Sequence, residues 1–275
     1  MIDGRFGLLC LAAILAGGFG CASHRSVDAE SGTARGTAPR HYVCLRAVGL
    51  IAIDGRLDDA AWEGAAWTDA FVDIEGEHKP GPRFETRAKM LWDDEYLYIG
   101  ARLEEPHVWA ILRARDDIVF YDNDFEIFID PDGDTEEYYE IEVNALNTIF
   151  DLFLVQTYID GGPALHDWDL KGMRSAVSVA GTLNDPSDVD VGWIVEFALP
   201  WDHLAPAAHM PTPPNDGDVW RINFSRVQWR HHIVDGRYEK VPDTAEDNWV
   251  WSPQGVVNMH LPEHWGFVEF IAGEE

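Results

Sequence analysis

The stretch Phe120–Leu154, FYDNDFEIFIDPDGDTEEYYEIEVNALNTIFDLFL, carries the densest set of side chains able to engage a polar ligand. Tyr139, Ile141, Val143 and Ala145 alternate with Glu140, Glu142 and Asn144. Strand side chains alternate between faces, so these three polar residues share one face. Such a face is either solvated or takes sugar hydroxyls, while a neighbouring aromatic ring stacks on the apolar C–H face of a pyranose. Ring candidates are Phe120 and Tyr121, just ahead of the strand, and Trp92, Trp249 and Trp251 further off. Asn123, Glu142 and Asn144 are the candidate hydroxyl partners. Core packing competes with the site reading for each ring. Trp92 alternates with Ala88 and Met90, which favours the core. Of Trp249 and Trp251, one ring is expected inside and one outside.

Other constellations are weaker. Asp130, Asp132 and Asp134 alternate around Gly133, and calcium needs six to eight oxygens that such a loop can supply. The helix-flanked twelve-residue loop of an EF-hand is missing, so an acidic surface turn competes with a calcium site. Asp116, Asp117, Asp122 and Asp124 form a second acidic set. His231, His232, His260 and His264 lack the spacing of a zinc site, because adjacent histidines on a strand point to opposite faces. A glycosidase needs two carboxylates about 5–10 Å apart across the sugar. The 49 acidic residues leave that chemistry open. No serine nucleophile elbow, phosphate-cradling glycine loop or metalloprotease motif occurs.

The elements that must position these residues read as strands. Thr86–Trp92 and Tyr96–Leu103 form a hairpin across Asp93-Asp94-Glu95, and Phe125–Ile129, Tyr139–Ala145 and Ile149–Val155 follow. Trp193–Leu199, Trp220–Trp229 and Trp265–Ile271 complete the set, with Ile222, Phe224 and Val227 as core residues. Leu57–Trp62 reads as a helical turn capped by an Asp and pinned by Trp62, and Pro200–Leu204 as another. Many short strands without a long amphipathic helix predict an all-β fold, an antiparallel β-sandwich of two sheets, immunoglobulin- or jelly-roll-like.

The chain has 275 residues and a formal net charge of −29. That acidity argues against nucleic acid and anionic lipid surfaces as partners, since neutralising phosphate takes Lys and Arg. At 46% hydrophobic residues it can bury a substantial core. Arg5, the apolar run Phe6–Leu15 and Gly17-Gly18-Phe19-Gly20 before Cys21 predict a signal peptide over residues 1–21, of lipoprotein type with Cys21 lipidated. Residues 22–41 are a flexible linker rich in small and polar side chains, and 42–275 is the folded body. The expected location is outside the cytoplasm, anchored in the cell envelope through the N-terminal lipid, with a periplasmic or secreted form as the alternative. Cys44 alone remains in the folded body, so no intramolecular disulfide framework exists.

Four segments resemble one family when taken together: Ile53–Trp62 (IDGRLDDAAW), Leu91–Ile99 (LWDDEYLYI), Asp122–Asp130 (DNDFEIFID) and Asn248–Pro253 (NWVWSP), with a closing Trp265-Gly266. The chain is similar to the family 9 carbohydrate-binding modules and their stand-alone bacterial relatives. The resemblance implies a β-sandwich, often with structural calcium. It also implies non-catalytic binding of a polysaccharide or oligosaccharide end between two Trp rings, alongside secreted glycosidases. The chain departs from that pattern at the site. Phe120 or Tyr121 stands for the first Trp, Asn258-Met259-His260 for the second, and Glu142 for an Arg expected to meet sugar hydroxyls. A partner-binding scaffold that has lost the sugar clamp is therefore an alternative, and a glycoside hydrolase a second one.

Overall fold

Fifteen strands and one α-helix lie within residues 38–273, the part described by this computed structural model. The expected export signal, its Cys21 and most of the linker lie outside the described residues. The first strands are β1 (His41–Arg46), β2 (Val72–Asp73), β3 (Thr86–Trp92), β4 (Tyr96–Glu104) and β5 (Asp124–Asp130). Next come β6 (Tyr138–Asn144), β7 (Ile149–Leu154), β8 (Ala164–Leu165), β9 (Arg174–Ala180) and β10 (Gly192–Pro200), then helix α1 (Trp201–Ala208). The chain closes with β11 (Val219–Gln228), β12 (His231–Val234), β13 (Arg237–Lys240), β14 (Asp247–Val250) and β15 (Gly266–Ile271). Among the described residues no helix is long and apolar enough to cross a membrane.

Hydrogen bonding runs along β8-β7-β6-β5-β11-β15-β1-β3-β4-β10-β9. The central strand β11 is the joint. Its Val219–Ile222 half pairs with β15 and its Ser225–Gln228 half with β14, while Arg221–Ser225 pairs with β5 on the other edge. The two arms of the path share one core. Phe125, Ile127 and Ile141 from one arm join Met90, Ile99, Val195 and Phe197 from the other. The all-β sandwich expected from the alternation is what forms, with two differences. The layers are continuous through β11 and β15, and β1 lies parallel to both β15 and β3. Tight hairpins force antiparallel pairing, but β1 meets a neighbour from the far end of the chain, so no turn dictates its direction.

The outer face of β3, β4 and β10 is covered by the segment that contains Ile51 and Trp62. Glu196, fully buried on β10, holds it down. One of its oxygens accepts from the backbone N–H of Asp54, Gly55 and Arg56, and the other from Trp62 Nε1 at 2.9 Å. Gly55 has φ +82°, and a Cβ there would lie 2.8 Å from the backbone of Val177 and Ser178. The expected helical turn is a 3-10 turn, Ala60–Gly64, and Trp62 does pin it. Asp59 does not cap it; its carboxylate accepts from Ala52 N–H instead.

Candidate functional site

Strands β5, β6, β7, β11 and β14 show one face to the core and a second face outward. Alternation sends Phe125 and Ile127 to the core and Asp124, Glu126 and Phe128 to the second face. Pairing register then aligns the polar residues. Glu126 lies opposite both Glu142 and Ser225, and Phe128 lies opposite Glu140. Residues directly opposed across strands share a face. The reading of Glu140, Glu142 and Asn144 as one face is right, but the face is not solvated: all three are buried.

Loops wall this face into a cleft of about 370 Å³, floored by Glu126, Glu140 and Glu142. Phe120, in the 3-10 turn Val119–Tyr121, forms one wall, and Tyr158 and the segment reaching His260 form others. Phe120 is fixed by its backbone. Its N–H donates to Glu142 Oε2 at 2.9 Å, and its carbonyl accepts from Trp229 Nε1 at 2.8 Å. Tyr121 packs on it with ring centroids 4.5 Å apart. His260 Nδ1 meets the Tyr138 hydroxyl at 3.0 Å, and the Tyr158 ring meets the imidazole edge-on at 4.5 Å. The two positions where the resemblance expects sandwiching rings therefore line one cleft, although no tryptophan does.

The floor is strongly acidic. Asp124, Glu126 and Glu142 each bring an oxygen within 4.8 Å of the others, and among the described residues no Lys or Arg lines the cleft. Burial first, and neighbouring carboxylates second, push Asp124, Glu140 and Glu142 far above the usual carboxylate range. Burial raises Glu126 to about 7. His260 is pushed down to about 4 by burial, which keeps its imidazole neutral. Asp124 Oδ1 accepts from Val227 N–H, and its Oδ2 has no partner. Ser225 lies near enough to Glu126 to hold it down slightly, yet its buried hydroxyl completes no hydrogen bond.

The structure sorts the expected site residues. Phe120 and Glu142 line the cleft. Tyr121 is exposed behind Phe120, with the Lys240 ammonium 5.5 Å from its ring. Asn123 is buried, its carbonyl oxygen accepting from Trp229 N–H. Asn144 is a structural clamp: its amide donates to Leu112 O and Asp122, and its oxygen accepts from Leu146 and Thr148. Trp249 and Trp251 are both in the core, contrary to the expected split, because residues two apart on an extended chain share a face. Trp249 packs under the Arg226 guanidinium, which is itself buried and paired with Glu105 at 3.1 Å. Trp92 is in the core, where its Nε1 donates to Cys44 O. Val227 is buried, as expected, and also lines the cleft.

The acidic sets also rearrange. Asp130 is fully buried, and its two oxygens accept from Gly133 and Thr135 N–H, closing the turn. Asp132 and Asp134 converge with His209 rather than with Asp130, and His209 Nδ1 holds Asp132 at 2.8 Å. An imidazole beside two carboxylates does not fit an ion that takes six to eight oxygens, so Asp130, Asp132 and Asp134 do not fit calcium. Asp117 and Asp122 bind backbone amides of residues 111–114. Asp116 faces Asp151 and Asp169, and Asp124 converges with Glu126 and Glu142 instead, so the second acidic set does not converge either. The residues missed are Glu126 and Tyr158, while Glu140 stood on the expected polar face and His260 in the segment at the second ring position. Glu126 was legible: it breaks the apolar run Phe125–Phe128 on the face opposite Ile127. Tyr158 and His260 come from loops, where no period marks an inward residue.

Comparison with known proteins agrees with this architecture. Residues 53–249 match the model of the carbohydrate family 9 binding domain-like family. An endo-1,4-beta-xylanase A of Thermoanaerobacterium saccharolyticum is 28% identical over 160 residues, 58% of this chain and 12% of that protein. Exoglucanase XynX of Acetivibrio thermocellus is 29% identical over 159 residues, 57% of this chain and 12% of its own length. The chain thus spans about an eighth of these curated relatives. A family 9 module from Caldicellulosiruptor kristjanssonii, solved with cellotriose, shares the fold at a TM-score of 0.55 and 15% identity, over 86% of this chain and 96% of that one. Its glucose complex gives a TM-score of 0.54 at 16% identity, over 85% and 97%. With the family model matched across most of its folded part, the chain belongs to the carbohydrate family 9 binding domain-like family.

Proposed function

We propose that the protein binds carbohydrate in the Phe120–Glu142 cleft without transforming it, and so assists polysaccharide breakdown by other enzymes. The carrying observation is the cleft itself, an aromatic wall at Phe120 above convergent polar groups at Glu126, Glu140 and Glu142. A pyranose presents the complementary surfaces, a C–H face for the ring and hydroxyls for the floor. Hydrolysis is the poorer reading. The carboxylates lie side by side on one sheet face, three of them with oxygens within 4.8 Å, rather than flanking a glycosidic bond at about 5–10 Å. That the described relatives include a xylanase and an exoglucanase supports a glycan-degrading setting with glycosidase partners. The sequence of residues 1–21 supports export and a lipid on Cys21 that tethers the domain to the cell envelope. Fatty-acid labelling that is lost in Cys21→Ser tests the tether, and unchanged labelling sinks it.

The binding reading is tested by calorimetric titration with cello-, xylo- and amino-oligosaccharides, alongside an assay for released reducing ends. Saturable binding of at least one series, about tenfold or more weaker in Phe120→Ala, is expected. No release of reducing ends should accompany it. Absence of saturable binding to every series would favour a partner-binding scaffold, which the lack of a cleft tryptophan also favours.

A further inference from the structure

We propose that the preferred ligand of this cleft is a cationic saccharide, a hexosamine with a free protonated amine, rather than a neutral sugar. The inference rests on the carbohydrate reading and narrows it to a chemical class. Four buried carboxylates, Asp124, Glu126, Glu140 and Glu142, occupy adjoining positions on β5 and β6. Buried carboxyls ordinarily have a basic partner, and these have none among the cleft-lining residues described; the empty floor holds protons instead, which an entering cation would displace. The Lys240 ammonium, which is near enough to feel Asp124, lies 3.6 Å from the centre of the Trp229 ring. The imidazole of His260 contributes no charge at neutral pH.

A further observation points to a missing donor. Asp124 Oδ2 is fully buried with no hydrogen-bond partner. An ammonium carries three donors and one positive charge. Set on this floor it makes charge-assisted hydrogen bonds to Glu126, Glu140 and Glu142 and lies in the field of Asp124. Neutral hydroxyls could fill some acceptors but would bring no positive charge to favour the ionised form of the floor. A uronate would disfavour that form further.

The walls choose a saccharide over a bare ion. Phe120, Phe150 and Tyr158 line a space of about 370 Å³, roomy enough for a sugar ring. Two of the eight floor oxygens, Asp124 Oδ1 and Glu142 Oε2, already accept backbone N–H groups, which leaves six, the lower end of what calcium takes. At the scale of the whole chain, a net charge of −29 draws cations toward the surface and repels anionic glycans.

The test is calorimetric titration of the full chain at about pH 6.5, with chelator present, using three trimers: glucosamine, N-acetylglucosamine and cellotriose. The glucosamine trimer is expected to bind about tenfold or more tighter than the other two, with an affinity that falls as salt rises. Glu142→Gln keeps an acceptor for Phe120 N–H and removes one group able to ionise against a bound ammonium, and it should weaken the glucosamine trimer by about tenfold while circular dichroism and melting show an intact fold. Equal or tighter binding of cellotriose or the acetylated trimer overturns the amine inference and leaves carbohydrate binding standing. Binding of any trimer that appears only when calcium replaces the chelator also overturns it, by making the floor a metal site. Failure of all three trimers, with and without calcium, overturns the amine inference; failure of the wider cello- and xylo-oligosaccharide panel as well removes the carbohydrate reading with it.

Discussion

Glu126 is 5% exposed, lies opposite Glu142 across a strand pair and has no basic partner. Its burial is thus a cost to the fold. The sign is fixed by its pKa, which is about 7 in the fold against 4.5 ordinarily. A carboxyl raised in the folded state stabilises fully below its ordinary value, and that contribution is lost as pH rises through the folded value. For Glu126 the loss between pH 5 and pH 8 is at most about 3 kcal/mol. Asp124, Glu140 and Glu142 shift in the same direction and add to it. We predict that Glu126→Gln stays more stable than the wild type at pH 8 and that the advantage shrinks at pH 5, as read by urea denaturation. Parallel stability curves across that range would contradict this. A site residue that destabilises its own fold is expected where binding, not packing, fixes the side chain.

At the scale of elements, the outer segment and the cleft strands show what sequence could and could not convey. Glu196 gathers three backbone N–H groups and the Trp62 indole through one fully buried carboxylate. Glu196→Ala strands four donors, each worth about 1–3 kcal/mol when buried unsatisfied. It should therefore cost at least 3 kcal/mol or so, partly offset by water entering the gap, and lower the melting temperature markedly. A change of under 1 kcal/mol or so would mean that packing of Trp62 alone holds the segment. The segment Ile53–Trp62 was legible as a motif, but its anchor lies more than 130 residues away on β10, and no local pattern links the two. Period-two alternation located β5 and β6 and their shared polar face. It did not reveal that loops bury that face, because Tyr158 and His260 arrive from segments without periodicity. The same rule, applied strictly, puts Trp249 and Trp251 on one face, and both lie in the core. Asn123 and Asn144 misled for a different reason. Amides suit backbone clamping as well as sugar hydroxyls, and only the fold shows their partners to be main-chain groups.

At the scale of the whole molecule, the two layers divide labour. The arm through β3, β4 and β10 is closed on both faces, inwardly by the shared core and outwardly by the segment around Trp62. The arm through β5, β6 and β7 closes only its inner face, and its outer face becomes the cleft. The acidic chain surrounds that cleft with a field that favours cations. The central claim is that this outer face, and not another surface, receives saccharide. Backbone amide NMR of isotope-labelled protein, titrated with the saccharide found to bind best, tests it most directly. The largest shift changes should fall at Phe120, Glu126, Glu142 and His260, with little change along β9 or the β12–β13 hairpin. Changes centred on those other strands, with the four cleft amides unmoved at saturation, would contradict it.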